Sequence, residues 1–238
     1  MSESAGSPIL EVQGLRSGYY GVTVLKGIDM EIGNEIFGVL GANGAGKTTL
    51  LVTLARLIPL MAGSIRFQGE DVSTLPAFET AARGIGYVPQ EKGTFPELTV
   101  LENLHVGGMI GARSLEERMA EVLDLFPDLA VLQGQTSGTL SGGESRMLAC
   151  GRALMQDPKL LLLDEPTAGL SPKYVDMFFE LVGAIHETRD VGIILAEQNA
   201  TKALEVSDRV MVLSLGEVFL VKDADKLTTE QLKEGYRI

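Results

Sequence analysis

The sequence predicts an α/β fold organised around a parallel sheet, and three observations carry that expectation. Short apolar runs alternate along the chain with amphipathic helical stretches. GANGAGKT at 41–48 lies between an apolar strand, IFGVL, and a helix-forming run, KTTLLVTLARLI. LLLLD at 160–164 is a continuous apolar run bounded by loops, as expected of a strand covered on both faces.

Taken in order, the segment from Ile9 to about Glu35 reads as short strands broken by glycines, ILEVQGL and VTVLKGIDMEI. After the glycine-rich loop and its helix, SIRFQGEDV is a short strand with a turn and IGYVP another. From Pro96 to Gln156 the pattern is helical: LTVLENLHVGGM, SLEERMAEVLDLF and ESRMLACGRALMQ. This block, 96–156, is expected to be a helical insertion. KYVDMFFELVGAI is an amphipathic helix, VGIILA a strand, and DRVMVLSLGEVFLV two strands joined near Leu215-Gly216. TTEQLKEGYRI closes the chain as a short polar helix. There is no internal repeat and no low-complexity segment.

Composition narrows the function classes. At 238 residues, 45% apolar and 22% charged, the chain can bury one substantial core. A formal net charge of −12 argues against a nucleic-acid surface. Cys150 is the only cysteine, which excludes a disulfide framework within the chain, and it is expected to be a buried core thiol. MSESAGSPILEV has neither a basic region nor a long apolar stretch, so no signal peptide is expected. No window approaches the roughly 18 apolar residues of a membrane helix. The expectation is a cytoplasmic protein that can still dock on a membrane protein.

GANGAGKT fits G-x-x-x-x-G-K-[ST] in the strand–loop–helix setting the motif requires. Gly41, Gly44 and Gly46 let the backbone turn its amides into an anion-sized nest, with Asn43 and Ala45 in the same loop. The following helix adds the positive end of its dipole. Lys47 can reach terminal phosphates, Thr48 can ligate Mg²⁺, and Thr49 completes the cradle. The competing reading is an accidental glycine-rich turn. Its chance is roughly one in a hundred for a chain of this length, and the flanking strand and helix lower it, so a nucleoside triphosphate site is expected. LLLLDEP supplies the acidic half: Asp164 to hold Mg²⁺ and Glu165 to polarise water.

LSGGE at 140–144 opens a helix, and Ser141, Gly142 and Gly143 can form a second phosphate nest there. Alone, the plainer reading is stronger: Ser141 as N-cap with Glu144 at N3 in a capping box. Together, GANGAGKT, LSGGE and LLLLDEP in this order resemble the ATP-binding subunit of ABC transporters. The resemblance covers essentially the whole chain, 1–238, as a single domain. It implies a P-loop NTPase core with a parallel sheet, an N-terminal antiparallel β subdomain and a helical insertion subdomain, with ATP and Mg²⁺ bound.

The same resemblance assigns further residues. Gln90 in YVPQ corresponds to the loop glutamine that contacts Mg²⁺ and senses the membrane subunit. Tyr19 corresponds to the aromatic that stacks on adenine, with Tyr20 as the neighbouring alternative. AGLSP at 168–172 corresponds to a loop between the two sites of a dimer, with Ser171 where many relatives carry Asp. Head-to-tail dimerisation is implied, each ATP lying between Lys47 of one chain and the LSGGE nest of the other. The strand VGIILA ends on Glu197, Gln198 and Asn199, and Gln198 takes the place of the family's switch histidine. His105 and His186 are expected on solvated faces, and Arg152 as a structural tether.

Glu-Gln-Asn at that position is similar to one ATPase subunit of branched-chain amino acid importers, and related urea and short-chain amide importers share it. Ser145-Arg146 departs from the Gln-Gln that often follows the signature. The resemblance implies a second, similar ATPase as partner, two membrane permeases, a binding protein acting indirectly, and a peripheral position on the inner face of the membrane. The segment EKGTFPEL is expected to face the permease. The alternatives are a non-transport ABC ATPase, acting on DNA, ribosomes or cofactor assembly, and a barely hydrolysing regulatory module. The −12 charge weighs against DNA or ribosome work, the helical insert and Glu-Gln-Asn against cofactor assembly, and Glu165 against the regulatory module.

Overall fold

A computed structural model of the chain describes residues 7–91 and 93–236. The chain begins β1 (Leu10–Tyr19), β2 (Val22–Ile32), β3 (Ile36–Leu40), α1 (Lys47–Leu54), β4 (Leu60–Phe67) and β5 (Glu70–Asp71). It continues α2 (Ala77–Ala82), β6 (Ile85–Val88), α3 (Val100–Gly107), α4 (Leu115–Leu125), α5 (Pro127–Val131) and α6 (Gly142–Leu154). The last part is β7 (Leu160–Asp164), α7 (Pro172–Arg189), β8 (Gly192–Glu197), α8 (Ala200–Val206), β9 (Arg209–Ser214), β10 (Glu217–Asp223) and α9 (Thr229–Tyr236).

Two sheets result. The larger has the order β10-β9-β3-β8-β7-β6, with every pairing parallel except β10 on β9. The smaller, β2-β1-β4-β5, is antiparallel. Every residue of β3, β7 and β8 is buried, and their alternation explains why they read as unbroken apolar runs. Leu161, Leu163, Ile193 and Leu195 face a layer that includes Leu148, Phe178 and Val182. Leu160, Leu162 and Ile194 face the opposite layer, with Leu51 from α1 and Leu15 and Ile28 from the antiparallel sheet. Successive side chains of a strand point to opposite faces, so a strand packed on both sides has no polar phase.

Several elements differ from the sequence expectation. Near the N-terminus there are two long strands in place of short broken ones. Register shifts between Val12 and Leu15 and between Ser17 and Gly18 absorb the irregularities without ending β1. Helix α1 stops at Leu54, before the end of KTTLLVTLARLI. Arg56 takes a left-handed φ of 60°, and Ile58 precedes Pro59, a position that disfavours helix. Outside the expected helical block, α2 and α8 were not anticipated; they span 6 and 7 residues, too few to show an apolar period.

Between β6 and β7 lie α3 to α6, and Arg118 organises their junction. Its guanidinium donates to the carbonyls of Gly108 at 3.1 Å and Ile110 at 2.7 Å, and to that of Met155. Cys150 is fully buried and desolvation pushes its thiol up to about 12. Arg152 lies 4.9 Å above the Phe95 ring, so it ties α6 to the loop before α3. His105 is exposed, whereas His186 is half-buried with Nδ1 2.9 Å from the Val191 carbonyl.

Candidate nucleotide site

The C-terminal ends of β3, β7 and β8 are neighbours in the sheet, so the loops leaving these strands converge at one edge. After β3 comes the glycine-rich loop. Gly46 caps α1 with φ 110° and ψ 8°, a conformation that L side chains rarely adopt. Four orphan amides at the start of a helix make a natural anion site. A cavity over the loop is lined by Gly44, Gly46, Lys47, Thr48, Thr49 and Glu165.

Lys47 is buried, and its Nζ donates to the Gly41 carbonyl at 2.9 Å and pairs with Glu165 Oε1 at 3.0 Å. A buried ammonium requires such an anion, since an unpaired charge there costs several kcal/mol. Thr48 Oγ1 donates to Asp164 Oδ1 at 3.0 Å, bringing together two hard oxygen donors of the kind Mg²⁺ prefers. The donor set fits that ion. Burial raises the Asp164 pKa, opposed by the hydrogen bonds from Thr48 and Tyr87. Tyr87, whose OH donates to Asp164 Oδ2 at 3.1 Å, was not anticipated; its place in YVPQ beside Gln90 was the available signal.

Glu165 sits immediately after β7 with φ 43°, a left-handed conformation that costs a non-glycine residue about 1 kcal/mol. Its amide donates to the Ala196 carbonyl at 2.8 Å. Its carboxylate accepts from three side chains: Lys47, Gln90 Nε2 at 3.2 Å and Gln198 Nε2 at 3.2 Å. Gln198 also donates to Asn43 Oδ1, so the end of β8 is tied to the glycine-rich loop. Gln90 therefore meets Glu165, not the Thr48–Asp164 pair.

The three polar residues at the end of VGIILAEQN have separate uses. Glu197 is buried, and its Oε1 accepts from the amide of Thr167 at 3.1 Å and its hydroxyl at 2.7 Å. It thereby fixes the loop that leads to Ser171, which caps α7 without a side-chain hydrogen bond. Gln198 reaches Glu165. Asn199 caps α8, accepting from Lys202 N at 3.3 Å.

Other predicted residues lie apart from this cluster. Ser141 and Glu144 form the capping box, with reciprocal bonds of 3.3 and 2.7 Å. Gly143 packs on the Tyr174 ring so closely that a Cβ would lie 2.5 Å from it. Among the described residues, no hydrogen bond links Ser141, Gly142 or Gly143 to Lys47, Thr48 or Asp164. Tyr19 ends β1 partly exposed, while Tyr20 is fully exposed with φ 52°. A further unanticipated contact comes from α9: Gly41 N donates to Tyr236 Oη at 3.1 Å.

A family model described as ABC transporter matches residues 25–168, more than half of the chain. This chain belongs to the ABC transporter family. It is 42% identical over 224 residues to the high-affinity branched-chain amino acid transport ATP-binding protein BraG of Pseudomonas aeruginosa, covering 92% of this chain and 96% of that one. It is 37% identical over 215 residues to a probable branched-chain amino acid transport ATP-binding protein, LivF of Archaeoglobus fulgidus, covering 90% and 91%. Among solved structures, a dimeric bacterial ABC transporter cassette superposes with a TM-score of 0.80 at 25% identity, covering 90% of this chain and 98% of that one. ABC cassettes bind nucleotide, and the loop, Lys47 and the acidic pair of this family member occupy one edge of its sheet. No described helix is long and apolar enough to cross a membrane.

Proposed function

We propose that this chain is the ATP-hydrolysing subunit of an importer for branched-chain amino acids or related small solutes. The observation that carries the chemistry is the convergence of Lys47, Gln90 and Gln198 on the Glu165 carboxylate, beside the Thr48–Asp164 pair. The likeness to BraG supports the solute class.

The triphosphate lies along the loop from Gly41 to Thr49, its γ-phosphate taking the amides and Lys47, with Tyr19 stacked on adenine for about 1–3 kcal/mol. Thr48 and Asp164 would hold Mg²⁺, which would supply charge neutralisation at the phosphates. Gln90, bonded to Glu165 in this structure, would join them only as the resemblance implies. Lys47 then exchanges Glu165 for phosphate. The released carboxylate orients a water in line and accepts its proton as the water oxygen bonds to the γ-phosphorus and the β–γ bridging oxygen leaves. Gln198 holds Glu165 through a donated hydrogen bond and can accept another through its carbonyl. Lys47 and the amides stabilise the developing charge without reorganising.

Ser141, Gly142 and Gly143 serve a partner's nucleotide. The lack, among the described residues, of any hydrogen bond from them to this chain's own Lys47, Thr48 or Asp164 supports a head-to-tail dimer with a second cassette, similar or identical, as does the dimeric relative. Two membrane permeases, fed by a binding protein, complete the assembly and place the chain peripherally on the inner membrane face. The segment 91–98, of which residue 92 lies outside the described residues, meets the permease.

The test is affinity capture from native membranes with this chain as bait and mass spectrometry of what co-purifies. Two permeases and a second ATPase are expected, and uptake assays of the reconstituted complex should follow leucine-type solutes. Recovery of only soluble assembly factors would overturn the transport reading and leave the ATPase chemistry in another task.

A further inference from the structure

Helix α6 reaches the hydrolytic carboxylate through one side chain that sequence reasoning singled out only as a departure from pattern. Arg146 lies one turn into α6, after the Ser141-Gly142-Gly143 start. Its Nη1 donates to the Pro89 carbonyl at 2.9 Å and its Nη2 to the Gln90 carbonyl at 2.6 Å. The guanidinium fork thus spans two consecutive carbonyls of the segment after β6. The side chain of that same Gln90 donates to Glu165 Oε2 at 3.2 Å. The contact is reinforced next door, where a Cβ on Gly93 would lie 2.6 Å from Cβ of Ala149 on α6.

We infer that Arg146 is a positioning residue that clamps the Gln90 loop to α6 and so sets where Gln90 holds Glu165. The clamp couples the helix that begins at the second phosphate nest to the carboxylate that activates water. A rigid fork with several donors can hold two carbonyls at once; a lysine is a point charge on a flexible stem. The shorter glutamine that often stands at this place in the family does not span the same pair with charge-assisted bonds. Burial pulls the guanidinium pKa down, and the Glu197 and Asp164 carboxylates oppose that pull. Those acids favour the cation where the clamp needs it. The inference rests on the proposed roles of Gln90 and Glu165.

Steady-state Mg-ATP hydrolysis by the full-length chain tests it, with thermal midpoints for every variant. Arg146→Met is expected to lower kcat by roughly tenfold, about 1.4 kcal/mol, with KM for ATP within about twofold. Arg146→Lys should recover part of the loss. In a Gln90→Ala background, Arg146→Met should cost less than about twofold more, because the two residues act on one carboxylate. A merely structural arginine would instead give independent, multiplicative losses, and that result overturns the clamp. So does full kcat in Arg146→Met, or in Arg146→Lys where the methionine variant fails to fold. If Gln90→Ala alone retains full kcat, the role of Gln90 is wrong and the clamp falls with it. If Gln90→Ala is impaired and Arg146→Met is not, only the clamp falls.

Discussion

Gln198 Nε2 lies 3.2 Å from Glu165 Oε2 and 3.3 Å from Oε1, so the amide after β8 bonds the carboxylate after β7. An amide has no proton that titrates near neutral pH, whereas an imidazole titrates near 6.5. Gln198→His should therefore keep ATP affinity within about tenfold and give kcat a new pH-dependent limb around pH 6.5. Isothermal titration and a pH–rate profile check both halves. A larger loss of affinity would mean that Gln198 is chiefly a structural strut between Asn43 and β8.

Glu165 is also the buried partner of Lys47. Glu165→Gln leaves Lys47 with a neutral acceptor, so the nucleotide-free chain should lose about 1–3 kcal/mol of stability. Mg-ATP supplies the missing anion. The variant should therefore gain more in thermal midpoint from ATP than the parent does, and its slowed hydrolysis should trap a dimer on size exclusion. A monomer at saturating Mg-ATP, or an unchanged ligand shift, would contradict the exchange of partners at Lys47.

How much of this site could be read in the sequence depended on whether a residue's partners are near it in the chain. Lys47 and Thr48 stand in one contiguous motif, and Asp164 and Glu165 end an apolar run that only a buried strand explains. Tyr236 carried no such pattern, and Tyr87 only its place in YVPQ beside Gln90. Each reaches its partner across a long sequence separation, Asp164 for Tyr87 and Gly41 for Tyr236, and a lone tyrosine at a strand or helix end is ordinarily packing. Glu197 looked like part of a switch motif and proves to be an anchor for Thr167. In the fold, β3, β7 and β8 were legible because burial on both faces leaves no polar phase. The stop of α1 was not, because its decisive feature is the backbone angle at Arg56.

Tyr236 offers a direct check on one of the residues that was not legible. Its hydroxyl accepts the Gly41 amide at 3.1 Å, where the glycine-rich loop begins. Tyr236→Phe removes that acceptor and leaves the ring, so the nucleotide-free chain should lose about 1 kcal/mol. For a domain of this size that is a fall of about 2–4 °C in thermal midpoint. Differential scanning calorimetry of both proteins measures it. An unchanged midpoint would show that water serves the Gly41 amide equally well.

Glu197 gives a prediction in pH. Burial raises its pKa above the ordinary 4.5, and the bonds from Thr167, Asn199 and Gln198 only partly offset that. The folded state therefore binds this proton more tightly than the unfolded chain does. The side chain's contribution is most favourable below the unfolded value and erodes as pH rises through the folded one. Glu197→Gln does not titrate, and its amide opposes the Gln198 N–H that Oε2 now accepts at 3.1 Å, a cost of about 1 kcal/mol or more. The stability gap between parent and variant should thus be widest in acid and narrow as pH rises from about 4.5. Urea melts across that range read the gap directly. A gap that widens with pH instead would mean that the hydrogen bonds outweigh burial and that the carboxylate is the favoured form.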